Sequence, residues 1–221
     1  MSKTTALQGD AGLEVVIVGP LEVNCYILWD SLTRDAFVID PGGDAGKICK
    51  AVEKERLNVK YIVNTHGHFD HVGADGELKG IFGPPIAIHG ADAELMSEAH
   101  EHGVFFGAAI APQPAPDILL EDGAQLKAGG LSLRVIHTPG HTTGGVCLFE
   151  ESQGLLFTGD TLFAGSIGRT DLGGGSFNVI MASIKEKILP LGDEVTVLPG
   201  HGPKSSIGEE RRTNQFILQG R

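Results

Sequence analysis

The chain has 221 residues, of which 41% are hydrophobic, and this is enough for one large domain with a buried core. Its formal net charge of −11 argues against nucleic acid as the main partner, because binding to phosphates depends on Lys and Arg. We find no signal-peptide pattern and no run long enough to span a membrane. Three isolated cysteines predict neither a disulfide framework nor a Cys-x-x-Cys metal site, so we expect a cytoplasmic protein that contacts no membrane.

The first part of the chain predicts an antiparallel meander followed by a helix. We expect a flexible N-terminal tail over residues 1–12 and a single domain over residues 13–221. Apolar runs bounded by Gly, Pro and Asp turns predict strands at 13–18, 24–29 and 36–39. Apolar residues at helical spacing predict a helix at 45–57.

The next predicted strand leads into four residues of metal-ligand type, His66, His68, Asp70 and His71. In an extended backbone, side chains at i and i+2 point the same way, so His66 and His68 can share one ion. If the chain turns into a helix near Asp70, then Asp70 and His71 face a neighbouring position, which predicts a second ion. Imidazole and carboxylate are ligands of zinc and of related first-row metals.

The middle of the chain predicts short elements and one long loop. A helix is expected at 73–79, a strand at 86–88 and a helix at 91–99. Residues 100–117 contain three prolines and no period, so we predict a loop there. Its apolar residues, such as Phe105 and Phe106, favour packing at the rim of the metal cleft over disorder.

The second half of the chain predicts further strands and two helices. Strands are expected at 124–127, 131–136, 146–150, 155–158 and 195–198, and helices at 177–189 and 207–219. Two mixed β-sheets with helices outside them predict an α/β fold, a four-layer αβ/βα sandwich in which helices cover one face of each sheet.

Three of these later strands repeat one pattern, in which an apolar run is followed by a Gly or Pro turn and then by one potential ligand. The three residues in this position are His141, Asp160 and His201. Taken singly, each is more often a structural histidine or a turn aspartate. Because the carboxyl ends of neighbouring strands open onto one crevice, the set with the first motif predicts one metal centre of seven candidate ligands.

These motifs resemble those of the metallo-β-lactamase superfamily, in the same order. They are Thr65 to His71, Thr138 to Thr142, Phe157 to Thr161 and Pro199 to Gly202. Further segments resemble the glyoxalase II-like (hydroxyacylglutathione hydrolase-like) hydrolases: Gly19 to Leu21, Asn24 to Tyr26, Asp40 to Gly42 and Gly165 to Asp171. The likeness covers about residues 13 to 218.

The resemblance implies a metallo-β-lactamase fold with two divalent ions, most simply zinc, with iron or manganese as alternatives. His66, His68 and His141 would hold the first ion and Asp70, His71 and His201 the second, while Asp160 would bridge them with a water. It also implies thioester hydrolysis by a metal-bridging hydroxide, with S-lactoylglutathione or a similar small acidic thioester as substrate. Asp160 and Asp70 would be the catalytic carboxylates, and Asp70 is a candidate proton shuttle.

The sequence departs from that of two-domain glyoxalase II enzymes, because only twenty residues follow His201, so we expect no C-terminal helical domain to bind glutathione. Arg169 or Lys204 would have to bind the substrate instead, although Arg169 can equally form an ion pair with Asp171. Asp40 and Asp171 are expected to support neighbouring side chains rather than to bind metal.

Two alternatives remain open from the sequence. One is a sulfur (persulfide) dioxygenase with a single iron held by His66, His141 and Asp160, since such enzymes also carry a Gly-Arg-Thr-Asp stretch. The other is a non-catalytic metal-binding protein. Metal content and oxygen uptake distinguish these from a hydrolase. We expect a small-molecule substrate and no nucleic-acid partner, and the sequence indicates no oligomeric state.

Overall fold

The computed structural model describes residues 3–6 and 10–219. A seven-stranded sheet is formed by the first part of the chain, with its strands arranged in chain order and β1 to β4 antiparallel and β4 to β7 parallel. Its strands are β1 (Lys3–Ala6), β2 (Ala11–Val18), β3 (Val23–Asp30), β4 (Asp35–Ile39), β5 (Asn58–Val63), β6 (Ile86–His89) and β7 (Ile118–Leu120).

The second sheet has six strands and comes from the later part of the chain. Its strands are β8 (Gln125–Ala128), β9 (Leu131–His137), β10 (Val146–Glu150), β11 (Leu155–Gly159), β14 (Thr196–Pro199) and β15 (Ser205–Ser206). They are arranged in the order β15-β14-β11-β10-β9-β8, and only the β11–β14 pair is parallel. A separate hairpin joins β12 (Leu162–Phe163) to β13 (Ser166–Ile167).

Helices cover the outer faces of both sheets. They are α1 (Ala45–Lys54), α2 (Phe69–Val72), α3 (Asp75–Phe82), α4 (Ala93–Ser97), α5 (Ala99–Phe105), α6 (Phe177–Ser183), α7 (Ile207–Thr213) and α8 (Gln215–Gln219). A 3₁₀ turn at Gly90–Asp92 precedes α4, and α6 continues into a π turn at Ile184–Ile188 and a 3₁₀ turn at Leu189–Leu191. In the described part of the chain, every helix is too short or too polar to cross a membrane.

Strand β3 shows why the two sheets pack face to face. All eight of its residues are buried, and they alternate between two cores because side chains on a strand alternate between its faces. Cys25, Ile27 and Trp29 face the helices, whereas Tyr26 and Leu28 face the second sheet. Strands buried on both faces occur where both faces of a sheet are covered.

The inner core lies between the sheets, and a second outer core lies beneath α6 and α7. Phe37, Leu133, Leu148 and Phe157 belong to the inner core. The outer core beneath α6 includes Ile180 with the opposite faces of β10 and β11. These layers confirm the predicted four-layer αβ/βα sandwich.

Two predicted boundaries differ from the structure at the chain ends. Within the predicted tail, Lys3–Ala6 pairs with β2 and β2 begins at Ala11, while residues 1, 2 and 7–9 lie outside the described residues. The predicted final helix is two helices, because Asn214 adopts an extended backbone between them and its side-chain oxygen accepts a hydrogen bond from Phe216 N at 3.1 Å.

The predicted loop at 100–117 is wrong over its first part, which forms α5. Phe106, directly after this helix, stacks on Phe69 of α2 with ring centroids 5.5 Å apart, and Ala108 and Ile110 pack against the core below. A tertiary contact therefore stabilises a helix that shows no helical period. The rim of the cleft is also where the sequence predicted this segment to pack.

The backbone at Gly42 passes so close to α2 that no side chain fits between them. A Cβ on Gly42 would overlap the carbonyl oxygen of Asp70, whereas a Cβ on Gly46 in α1 would meet no atom within 4 Å. We predict that Gly42→Ala lowers the free energy of unfolding by about 1–3 kcal/mol. The matched control Gly46→Ala should leave it unchanged or raise it by up to about 1 kcal/mol. Urea unfolding measures the free energy of unfolding of both variants. Equal values would show that the α2 backbone can shift to accommodate the added Cβ.

Candidate metal centre

All seven predicted ligands lie at one edge of the sandwich, just beyond strand ends. His66 and His68 follow β5, and α2 then carries Asp70 and His71. The other three follow strands of the second sheet: His141 after β9, Asp160 after β11 and His201 after β14. Their donor atoms form three overlapping groups within 4.8 Å: His66 with His68 and His141, His66 with His71 and Asp160, and Asp70 with His71 and His201.

The first group consists of three imidazoles that surround one point. The ring centroids of His66, His68 and His141 are 4.7 to 4.8 Å apart. His141 Nε2 faces His68 Nδ1 at 2.9 Å. Three convergent imidazole nitrogens are the donor set of a tetrahedral metal site with one position left for another ligand.

A second ligand set, Asp70 with His71 and His201, lies beside the first, and the Asp160 carboxylate lies between the two. His201 Nε2 is 3.4 Å from Asp70 Oδ2, and His71 Nε2 is 3.8 Å from the same oxygen. Asp160 Oδ1 lies 3.4 Å from His71 Nε2, whereas its Oδ2 lies 3.6 Å from both His141 Nε2 and His201 Nε2. Asp160 is thus the side chain placed between the two groups.

Outer partners fix which nitrogen the histidines present to the centre. His141 Nδ1 donates to the carbonyl oxygen of Arg169 at 2.8 Å, and His201 Nδ1 donates to that of Leu21 at 3.0 Å. A carbonyl oxygen can only accept, so each Nδ1 carries the proton and each Nε2 keeps its lone pair toward the centre.

Asp40 lies behind two further histidines, next to His71 and linked to His66 through Thr65. Its carboxylate accepts hydrogen bonds from Thr65 N and Thr65 Oγ1, both at 2.7 Å, and Thr65 Oγ1 lies 3.1 Å from His66 Nδ1. The other Asp40 contact is His71 Nδ1 at 3.1 Å from Oδ2. Asp40 is buried and does not belong to any of the three donor groups.

Burial and neighbouring charges shift the pKa values of the centre in opposite directions. Burial lowers the pKa of His66 well below its ordinary value and that of His68 to about 3, with help from the other histidines. For His71, burial is outweighed by Asp160, Asp70 and Asp40, which raise its pKa to about 10. Burial would raise the pKa of Asp70, but His71 and His201 hold it below its ordinary value. Carboxylates thus concentrate negative charge where a cation would bind.

Unpartnered buried atoms show that the residues present fit divalent metal ions. His66 Nε2, His71 Nε2 and Asp160 Oδ1 are buried without a hydrogen-bond partner, although buried polar atoms are normally bonded. All three point into the donor groups, and a cation would satisfy them. Of the cysteines, Cys25 and Cys147 are fully buried, and burial raises the pKa of the Cys147 thiol to about 11. Neither is therefore suited to act as a nucleophile.

A cavity of about 350 Å³ opens above the centre. Five ligands border it, and the remaining wall is mainly apolar: Leu21, Phe69, Leu95, Phe106, Leu172 and Gly173, with His102 and Arg169. This is the size range of small-molecule sites. His102 lies outside the donor groups but lines the cavity.

The predicted substrate-binding residues are placed differently from one another. Arg169 borders the cavity, and its guanidinium pairs with the exposed carboxylate of Asp171 at 2.8 and 2.9 Å. Asp171 therefore supports Arg169 rather than a histidine ligand. Lys204 is exposed and does not line the cavity.

Two residues that hold the His201 loop were quoted in the sequence only as part of a motif. Asn24 Nδ2 donates to the carbonyl oxygens of Pro199 and Gly202, each at 2.9 Å, and Tyr26 Oη donates to Pro199 at 2.7 Å. Both residues are buried in β3 and so bind a loop of the second sheet to the first. Their contacts span more than 170 positions, and local patterns do not reveal these.

Comparison with known proteins bears on the same residues. A family model described as the metallo-beta-lactamase superfamily matches residues 18–201. The chain belongs to this superfamily. As a superfamily member with the histidine and aspartate cluster described above, it is a metal-binding hydrolase.

Relatives in the metallo-β-lactamase superfamily match almost the whole chain. The chain is 38% identical to hydroxyacylglutathione hydrolase GloC of Haemophilus influenzae over 93% of its own length and 97% of that protein. It is similar to the crystal structure of BLEG-1 B3 metallo-beta-lactamase, with 36% identity and a TM-score of 0.87. The match covers 93% of this chain and 99% of that one. It is also similar to the crystal structure of TTHA1623 in a di-iron-bound form, with 37% identity and a TM-score of 0.85. That match covers 91% of this chain and 98% of the other.

The two donor groups predict close to two metal ions per chain, because seven ligands exceed the needs of one tetrahedral ion. Elemental analysis of protein loaded with zinc, manganese or iron in separate samples measures this. Asp160→Ala should bind both ions more weakly, by more than about 10-fold, since it lies between the groups. Asp171→Ala, which removes an exposed carboxylate outside them, should retain full metal content. One ion per chain after supplementation would rule out the paired centre.

Proposed function

We propose that the protein is a glyoxalase II-type thioesterase that hydrolyses S-lactoylglutathione or a similar small acidic thioester. The observation that carries this proposal is the pair of donor groups joined by Asp160 beneath a cavity open to small molecules. The thioester class is supported by the hydroxyacylglutathione hydrolase relative, which matches the chain over nearly its whole length.

The seven ligand roles belong to this proposal. His66, His68 and His141 would hold one divalent ion, Asp70, His71 and His201 would hold another, and Asp160 would serve both. Zinc is our first choice, and the di-iron-bound form of a relative keeps iron as an alternative beside manganese. Ions held there lower the pKa of a bound water and polarise an acyl carbonyl.

The residues of the chain supply the remaining steps. Asp70 lies 3.4 Å from His201 Nε2 and lines the cavity, so its carboxylate is placed to accept and return a proton during hydrolysis. Asp160, also on the cavity wall, fixes the spacing of the two groups and so the geometry in which the carbonyl is attacked.

Arg169 is the cation that this proposal assigns to the substrate. It is the one Lys or Arg among the cavity-lining residues described, and its bidentate pair with Asp171 is exposed on both sides. An exposed pair of this kind contributes little on its own, so a substrate carboxylate can replace Asp171 at low cost. A single cation fits one carboxylate better than the several charges of a polyanion such as RNA.

The apolar part of the cavity wall supports an apolar contact with the substrate. Phe106 is about half exposed at 53%, and it stacks on Phe69, which lies between His68 and Asp70 in sequence. A substrate above the metal centre would cover these rings. Burial of apolar surface then contributes to binding in proportion to the area removed from water.

We predict that metal-loaded protein hydrolyses S-lactoylglutathione and that Asp160→Ala lowers kcat/KM by more than about 100-fold. Arg169→Ala should act mainly on KM, because it orients substrate without contacting the metal centre. The loss of thioester absorbance over time gives kcat and KM for both variants. Lys204→Ala, outside the cavity, is the control and should match the wild type.

Other outcomes of the same assay would contradict this function. Oxygen uptake with a persulfide substrate, in protein that carries one iron, would assign the chain to the sulfur dioxygenases. Full metal content without turnover of any thioester would indicate a metal-binding protein without catalysis. Cleavage of RNA that is lost in Asp160→Ala would show that the cavity accepts a polyanion.

We further predict that Phe106→Ala, or shortening of residues 104–111, raises KM by about 3- to 30-fold and leaves both metals bound. The expected change is in KM because the ring contacts the ground state and the transition state alike. Val104→Ala is the matched control, since Val104 is 71% exposed in the same segment and does not line the cavity. Steady-state kinetics measures KM, and elemental analysis measures the metal content of each variant. Unchanged KM would show that the rim does not contact the substrate.

A further inference from the structure

The Asp92 carboxylate binds two separate loops of the metal centre and belongs to neither. It is buried, at 1% exposure, and lies at the end of the 3₁₀ turn that precedes α4. Its Oδ2 accepts hydrogen bonds from Gly67 N at 3.0 Å and from Thr142 Oγ1 at 2.7 Å. Its Oδ1 accepts one from Gly144 N at 2.6 Å, with Thr143 Oγ1 farther away at 3.5 Å.

These donors are adjacent to the first donor group. Gly67 stands between His66 and His68, and Thr142 follows His141 directly. The first loop leaves β5 of the seven-stranded sheet, and the second leaves β9 of the six-stranded sheet. One carboxylate therefore connects the loops that carry all three imidazoles, across the boundary between the sheets.

The backbone of Asp92 packs directly against both loops, so its position constrains theirs. A Cβ on Gly67 would lie 2.7 Å from the carbonyl oxygen of Asp92, and a Cβ on Gly144 would lie 2.6 Å from Asp92 N. Both loops thus approach to a distance that only glycine permits, and any shift of Asp92 would move them.

We propose that Asp92 is a positioning residue that sets the distance between the His66–His68 pair and His141 without itself contacting metal. The three imidazoles must converge on one ion, and their spacing depends on two loops that share no strand. A buried carboxylate that accepts charge-assisted hydrogen bonds from both loops holds that spacing, and loss of such outer partners weakens metal binding by about 10- to 100-fold. The proposal rests on the ligand roles given under the proposed function, and it is independent of the substrate.

Asp92→Asn tests this inference, because the amide keeps the shape of the side chain but replaces one accepting oxygen with an NH₂ group, which cannot accept a hydrogen bond from the N–H and O–H donors. The experiment is zinc titration of metal-depleted protein against a competing chelator, for wild type and variant. We expect the affinity of one of the two ions to fall by about 10- to 100-fold and that of the other to change by less than about 3-fold. Cobalt substitution adds a second readout, since a displaced imidazole alters the absorption spectrum of one ion.

Asp30→Asn is the matched control. Asp30 is also a buried carboxylate, and it accepts from Leu32 N, Thr33 N and Gly130 N at 2.7 to 2.9 Å in a region without metal ligands. The Asp30→Asn variant should lose thermal stability as Asp92→Asn does, but its zinc affinity should be unchanged. If both variants lose only stability, Asp92 is a structural cap and the inference is wrong.

A milder variant decides the matter if Asp92→Asn cannot be purified. Thr142→Val removes one donor to the carboxylate and should weaken the same ion in the same direction, whereas unchanged affinity for both ions would overturn the inference. Two ions in the wild type with an unaffected Thr142→Val would contradict only the role of Asp92. Failure of the wild type to bind two ions would instead contradict the ligand roles of the proposed function.

Discussion

The contact between the inner faces of the two sheets determines where every candidate ligand lies. Tyr26 and Phe157 meet across it with ring centroids 5.2 Å apart, and the strands around them end at one edge of the sandwich. Sheets packed face to face hold a fixed mean orientation, so the loops beyond their strands keep fixed relative positions. The metal centre is the point where the ends of β5, β9, β11 and β14 converge.

Around that point, two buried carboxylates hold the loops that carry the ligands, and neither belongs to a donor group. Asp40 holds Thr65 and His71, and Asp92 holds the loops of the first donor group. A buried charge is costly unless it is hydrogen-bonded, and each of these carboxylates accepts from backbone and side-chain donors. The same network orients the imidazoles, so stability of the loops and geometry of the site depend on the same hydrogen bonds.

The sequence was sufficient for the sandwich and for the convergence of the seven candidate ligands, because strand, turn and ligand occur together in a short segment, as at His141 and His201. It was not sufficient for α5, whose helix depends on contact with α2 rather than on its own period. It also missed the role of Asp92, which lies within the helix predicted at 91–99. Its partners lie 25 to 52 positions away, and the signal that could have found them is the placement of Gly67 and Gly144 beside histidine motifs.

Each donor group takes two side chains from the first half of the chain and one from the second. His141 completes the group begun by His66 and His68, and His201 completes the group begun by Asp70 and His71. During synthesis, the first donor set is therefore complete only after residue 141 has been added, and the set that contains His201 only after residue 201. Each set combines side chains from both halves, so a complete metal site requires the two halves to be in contact. Ions that bind only the native state stabilise it by mass action. Bound metal would therefore link the two halves reversibly, and no disulfide joins them in the described part of the chain.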